Sequence, residues 1–483
     1  MPSDPSLPLF PSPLQRRSFL KGMLGAGAGS LVAATPLLAQ SRWASGKAPA
    51  GDKVRLACCG IGNRGKHDIQ AMHATGLCSI VALCDVDMGA PHTLEILKQF
   101  PEVPRFQDFR KMLEKLDNEI DAVSIGVPDF AHFPIAMLAM SMGKHVYVEK
   151  PLAHTFQEVE LMMQAEKKYQ VAAQMGNQGH SEANYFQFKA WTEAGIIKNV
   201  TKITAFMNSG RRWHGMQVAG YLPDQPVPTS LDWDTWLGSA RPHAYNKGYT
   251  NGDWRSWFDF GNGALGDWGA HIFDTAHEFL HLGLPEEIHS LKADGPSDFI
   301  FPQASTLCFK FPKRDQMPAL DLTWYDGVKN LPPLPDEFGQ AVVDGNIPPP
   351  SAGKIDTKTG GPGKVIYGED LTFKGGSHGS TLEIIPQAKA RDIASKLPAV
   401  PPSPSNHFAN FLLACKGEEN CRSSFAVAGP LSQVMVLGVI AQHVNGQLKF
   451  DRQTKQITNH PVANALLAGP PPRKGWEQFY QLS

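Results

Sequence analysis

Val54-Arg-Leu-Ala-Cys-Cys-Gly60-Ile61-Gly62-Asn63-Arg64-Gly65 is an apolar run that ends in G-x-G-x-x-G, and a polar stretch suited to a helix follows to His73. A strand, a glycine turn and a helix in that order give each glycine a physical task. Gly60 permits the tight turn, Gly62 lets the backbone approach a pyrophosphate, and Gly65 lets helix and strand pack closely. Asn63 and Arg64 then open the helix, whose N-terminus carries positive partial charge. A second strand, Ser79 to Cys84, ends in Asp85-Val-Asp87. Asp85 stands where a carboxylate accepts hydrogen bonds from a ribose 2'-hydroxyl and repels a 2'-phosphate, which favours NAD over NADP.

Outward from that turn the chain keeps alternating. Helices are expected at Thr93 to Phe100 and Phe109 to Leu116, then a strand from Ala122 to Val127 that ends at Pro128-Asp-Phe-Ala-His132, then a helix from Phe133 to Met142. The next strand lies in Gly143-Lys-His-Val-Tyr-Val-Glu149-Lys150-Pro151 and delivers Glu149 and Lys150 to its carboxyl end. A helix from Phe156 to Tyr169, a strand from Val171 to Met175 and the loop Gly176-Asn177-Gln178-Gly-His180 complete the last unit. Such alternation implies right-handed crossovers and a parallel sheet with helices on both faces. Ligands of such sheets sit at the carboxyl ends of the strands, so Lys150 points into the crevice.

From Val200 the texture changes to separated strand-like runs at 200–207, 288–292, 306–311, 320–324, 364–367 and 382–385. Few helices lie between them, which predicts an open, mostly antiparallel sheet. The expected fold is α/β: a dinucleotide-binding domain over 51–180 and an α+β domain over 181–483. Residues 209–262 and 326–362 read as loop insertions, and the helices within 406–445 are placed on either domain.

A length of 483 residues favours two domains. Lys+Arg at 45 against Asp+Glu at 46 gives a net charge of -1. That leaves no electrostatic footprint for nucleic acid or a membrane surface, and points to small-molecule partners. The seven cysteines form no C-x-x-C pair, so they read as buried inert thiols. Gln15-Arg-Arg-Ser-Phe-Leu-Lys21, followed by a Gly/Ala/Leu run to Ala39, resembles a twin-arginine export signal. The run is short, glycine-rich and broken by Pro36, so no membrane anchor is expected after processing. Residues 1–50 are therefore set apart as signal and linker, and a periplasmic or otherwise exported protein is expected.

Gly263-Ala-Leu-Gly-Asp267-Trp-Gly-Ala-His271-Ile-Phe-Asp274 begins a helix expected to reach His281. Asp267 and His271 stand at i and i+4 and share a face. A carboxylate beside an imidazole fixes its tautomer and suits proton transfer, although such a pair also occurs as a plain surface contact. His277-Glu-Phe-Leu-His281 matches H-E-x-x-H. No third ligand follows in register, and no metal is expected. Between Ser209 and Asn262 lie five tryptophans with Arg211, Arg212 and Arg255. Two readings stand for this segment: Arg211, Trp213, Trp254 and Arg255 bind sugar rings and hydroxyls, or the aromatics bury a subunit contact.

Taken in order, the glycine turn, Asp85, Pro128 with His132, Glu149-Lys150-Pro151 and D-x-x-x-H at 267 and 271 resemble the glucose-fructose oxidoreductase/inositol dehydrogenase (Gfo/Idh/MocA) family. The resemblance covers nearly all of the chain after residue 50. It implies a Rossmann domain followed by an open-faced α+β domain, and a homo-oligomer, dimer or tetramer. By position it makes Lys150 the residue beside the nicotinamide, with a lowered pKa, and Asp267 the residue that orients His271. Gly60, Gly62, Asn63, Arg64, Gly65, Asp85, Pro128, His132, Glu149, Lys150, Asn177 and Gln178 would hold the cofactor. The resemblance implies an NAD-dependent oxidoreductase acting on a secondary hydroxyl of a sugar, cyclitol or glycoside. The alternatives are a glycoside hydrolase working by transient oxidation, elimination and re-reduction, and a non-catalytic sugar-binding scaffold.

Overall fold

The computed structural model describes residues 51–208, 218–339 and 361–482, so the export signal, Arg211 and Trp213 lie outside the described residues. The first domain is a six-stranded sheet of β1 (Val54–Cys59), β2 (Cys78–Cys84), β3 (Arg105–Phe106), β4 (Ala122–Ile125), β5 (His145–Val148) and β6 (Ala173–Met175) in the order β3-β2-β1-β4-β5-β6. Every pairing in it is parallel. Helices α1 (Asn63–Ala74) and α2 (Leu94–Gln99) cover one face, while α3 (Phe109–Lys115), α4 (Asp129–Ser141) and α5 (Phe156–Tyr169) cover the other. The strand order reverses between β1 and β4, the place where such sheets open a crevice. β4 and β5 are buried at every residue, as a strand covered on both faces must be.

The second sheet has nine strands in the order β13-β12-β11-β7-β10-β9-β8-β14-β15. They are β7 (Lys202–Met207), β8 (Glu287–Asp294), β9 (Ala304–Phe311), β10 (Leu320–Gly327), β11 (Gly363–Tyr367), β12 (Thr372–Gly375), β13 (Glu383–Ile385), β14 (Gln447–Asp451) and β15 (Gln456–Ile457). Only β7 with β10 is parallel; the other pairs are antiparallel. The helices of this half are α6 (Ala183–Glu193), α7 (Trp233–Leu237), α8 (Gly263–Ile272), α9 (Asp274–Phe279), α10 (Gln387–Ile393), α11 (His407–Cys415), α12 (Phe425–Val444) and α13 (Pro461–Leu466). The two terminal helices divide their work. α11 packs on the first domain, where Phe408 and Phe411 meet Tyr147 of β5. α12 packs on α5 and on β8 and β9 together. It is long and apolar enough to cross a membrane, yet 83% of its apolar window is buried inside the protein.

Two expectations need correction. The helix expected to run from Gly263 to His281 breaks at Phe273, whose φ of -121° and ψ of 14° are not helical, so Asp267 and His271 lie on α8 while His277 lies on α9. Among the described tryptophans of the 209–262 segment, Trp236, Trp254 and Trp257 are buried in this chain's own core around Phe130 of α4 and Phe260. Among the described residues no metal-ligand cluster occurs. His277 instead sets its Nε2 2.9 Å from the Gly283 carbonyl.

Candidate active site at the strand ends

Gly60 has φ of +77°, and a Cβ there would lie 2.5 Å from the carbonyl oxygen of Gly126. Gly65 packs its Cα side against the Gly60 carbonyl, so a side chain at Gly60 would strike the turn after β4 and one at Gly65 would push α1 off the end of β1. Asn63, at φ of 45°, opens α1, and Gly62 caps it without any side-chain acceptor. No side chain caps that first turn, and the N-terminal N–H groups of a helix have no partner within it, as an anion site requires. Asp85 accepts from the backbone N–H of Ile61 at 3.0 Å and of Asp87 at 3.1 Å. Burial pushes its carboxyl above the ordinary value. This glycine cradle, bare helix end and carboxylate fit the pyrophosphate and ribose of a dinucleotide.

Several residues expected to touch the cofactor also brace the loops around its crevice. His132 is buried, with Nδ1 2.9 Å from the Pro151 carbonyl and Nε2 2.9 Å from the Val127 carbonyl, so it ties the β4 loop to the β5 loop. Pro128 starts α4 beside it. Glu149 accepts from Arg64 Nε at 3.0 Å and from Gln178 Nε2 at 2.9 Å, and Gln178 also donates to the Tyr147 hydroxyl. Arg64 pairs in addition with Asp68 at 2.8 Å. Burial, with the Glu149 charge beside it, drives the Asp68 carboxyl well up. Asn177 accepts from Ser423 Oγ at 2.6 Å and reaches Asp274 at 3.4 Å.

The chemistry gathers one residue further along. Lys150 Nζ donates to Asp267 Oδ1 at 2.6 Å and to the Asp267 backbone carbonyl at 3.0 Å. Arg255 Nε stands 3.6 Å from the same carboxylate oxygen, with its guanidinium 4.1 Å from the Trp254 ring centroid. Asp267 thus engages two cations, an arrangement other than the expected orienting bond to His271. His271 is buried, and among the described residues its Nδ1 has no hydrogen-bond partner. Burial first, and the Lys150 charge next, hold its pKa well below the ordinary value. A depressed pKa favours the neutral imidazole, which carries one donor and one acceptor nitrogen.

Sequence reasoning missed His378. Its ring stacks on His271 at 4.1 Å between centroids and 14° between planes, and its backbone N–H donates to the His271 carbonyl at 2.7 Å. The only signal was a histidine inside the glycine-rich run Gly375-Gly-Ser-His-Gly379. Also missed was a pair of carboxylates around buried His180, one buried (Asp274) and one partly exposed (Glu278). Asp274 lies 3.3 Å from its Nδ1 and Glu278 lies 2.8 Å from its Nε2. Burial opposes the imidazolium, but the two carboxylates outweigh it and raise His180 to about 9.

Residues 54–177 match the Gfo/Idh/MocA domain described as an oxidoreductase family with an NAD-binding Rossmann fold, and residues 183–291 match the C-terminal alpha/beta domain of that family. Over those two stretches the chain matches the Gfo/Idh/MocA family. Among curated proteins, 164 residues are 34% identical to an alpha-N-acetylgalactosaminidase of Shewanella oneidensis, covering 30% of this chain and 35% of the relative. A glycosyl hydrolase family 109 protein of Saccharopolyspora erythraea is 31% identical over 193 residues, 35% of this chain and 41% of that one. The matches therefore span well under half the length of either relative. Two solved structures share the fold. They are the WlbA dehydrogenase of Chromobacterium violaceum in complex with NADH and UDP-GlcNAcA (TM-score 0.54, 16% identity, 83% of this chain and 96% of that one), and the aldose-aldose oxidoreductase of Caulobacter crescentus (TM-score 0.50, 16% identity, 83% and 100%). A Gfo/Idh/MocA nucleotide domain together with the cradle at Gly60–Gly65 supports a nicotinamide cofactor.

Proposed function

We propose that this chain oxidises a secondary hydroxyl of a sugar or glycoside, using NAD that it keeps bound. The observation that carries the reading is the Lys150–Asp267 pair at 2.6 Å beside the unpartnered Nδ1 of His271. A bound nicotinamide supplies a hydride acceptor and, on return, a hydride donor, which allows either net oxidation or oxidation and elimination that end in hydrolysis. Lys150 donates toward the substrate oxygen while Asp267 and Arg255 fix its position. Neutral His271 accepts the hydroxyl proton, because its lowered pKa leaves it unprotonated at neutral pH. Asp85 favours NAD over its 2'-phosphorylated form.

Net hydrolysis is the second reading, favoured by the names of the curated relatives that share the nucleotide domain. The twin-arginine-like segment at 15–39 supports export of the folded, loaded protein, and a bound cofactor outside the cytoplasm must be regenerated within each cycle. Nitrophenyl glycosides, with the α-N-acetylgalactosaminide among them, separate the readings. Release of nitrophenol without added cofactor supports hydrolysis, reduction of NAD without release supports the dehydrogenase, and neither on any sugar, with cofactor bound, leaves a scaffold.

A further inference from the structure

Ser230-Leu231-Asp232, from the second domain, lies on the β2 loop of the first. Leu231 forms an antiparallel bridge with Asp87, and the Asp232 N–H donates to the Val86 carbonyl at 2.9 Å. Gln107 Nε2 fastens both sides, donating to the Val86 carbonyl at 2.9 Å and the Ser230 carbonyl at 2.8 Å. The strap then continues into α7, where Trp236 packs 5.1 Å from Phe130 at the start of α4. It thus runs from the loop after β2 to the helix after β4. Those are the two rims between which the adenosine half of a dinucleotide lies in a doubly wound sheet.

The far side of the strap is held by the C-terminal tail. Arg473 donates to the Asp234 carboxylate at 2.6 Å, the Asp234 carbonyl at 2.7 Å and the Gly238 carbonyl at 2.8 Å. Trp476 packs beneath Gly238, with Arg110 of α3 over its other ring face. Tyr480 bonds Glu158 of α5 at 2.6 Å and Ser239 at 3.3 Å. None of these tail residues lies within the stretches that match the family domains.

We infer that residues 230–239 form the outer wall of the cofactor's adenosine site, and that Arg473, Trp476 and Tyr480 lock this wall so that the dinucleotide stays bound through turnover. The inference rests on the nicotinamide reading of the crevice, not on the sugar chemistry. A cofactor behind a wall pinned on both sides leaves only when the wall opens, so the lock acts on the release rate.

The test uses the full chain loaded with NADH and chased with excess NAD, following NADH fluorescence. Arg473→Ala and Gln107→Ala should each release NADH at least about tenfold faster than wild type, since each loses hydrogen bonds that involve a charged group or close the strap. Release within about twofold of wild type in both folded variants would overturn the inference. Amide exchange of residues 230–237 in the unaltered chain gives a check that needs no variant. NADH should slow it, and unchanged exchange would count against the wall. A wild-type chain that binds no NADH would sink the cofactor reading itself, and the inference with it.

Discussion

Lys150 meets Asp267 as an ion-pair donor, and the proposed mechanism leaves the role of neutral base to His271. Replacing Lys150 by Met should reduce single-turnover formation of NADH by about 10³-fold while changing the NADH dissociation constant by no more than about twofold. A fully active Lys150→Met protein would remove this lysine from the chemistry. The pH profile tests His271. Its folded pKa is depressed, so the base form persists as pH falls through 6.5 and is lost only at more acid values. kcat/KM should therefore stay level down through pH 6.5. His378 contributes to that depression, so His378→Ala should move the acid limb to higher pH; an unmoved limb would show that the stacked ring does not act through His271.

At the scale of elements, the turn between β1 and α1 admits no side chain at Gly60 or Gly65. Gly65→Ala would set a methyl group against the Gly60 carbonyl and should destabilise the protein by about 3 kcal/mol. Gly76→Ala, where φ is +74° with nothing within 4 Å, should cost only about 1 kcal/mol. Denaturant titration of the two variants distinguishes backbone collision from backbone conformation alone. The contact between the His180 loop and α9 makes a second prediction. The His180 pKa is raised to about 9 by Asp274 and Glu278, from an unfolded value of about 6.5. This stabilisation is fully present below pH 6.5 and is lost as pH rises through 9, a loss of about 3 kcal/mol. His180→Gln should flatten that part of the stability profile, and an equally steep profile in the variant would assign the loss to other groups.

Across the whole molecule one apolar core joins the domains. A single cluster runs from Phe133 and Val146 in the first domain through Met435 and Leu437 of α12 to Phe309 and Trp324 of the second sheet. Calorimetry should therefore show one cooperative transition rather than two. Two separated transitions would mean that α12 belongs energetically to one domain alone.

The sequence by itself determined the main strand-helix alternation of the first domain, because glycine turns, apolar runs and their spacing are local, whereas the short strands β3, β12, β14 and β15 were not legible in it. It also identified Lys150, Asp267 and His271, since all three stand in recognisable local patterns. What the cluster does with its charges was decided only by tertiary structure. Asp267 pairs with Lys150, 117 positions away in the chain, rather than with the histidine one helical turn further on. His132, Glu149 and Gln178 became braces because their partners come from other strands and loops. His378 and Arg473 were invisible for the same reason: their importance lies in contacts with distant segments, which neither periodicity nor a short motif records.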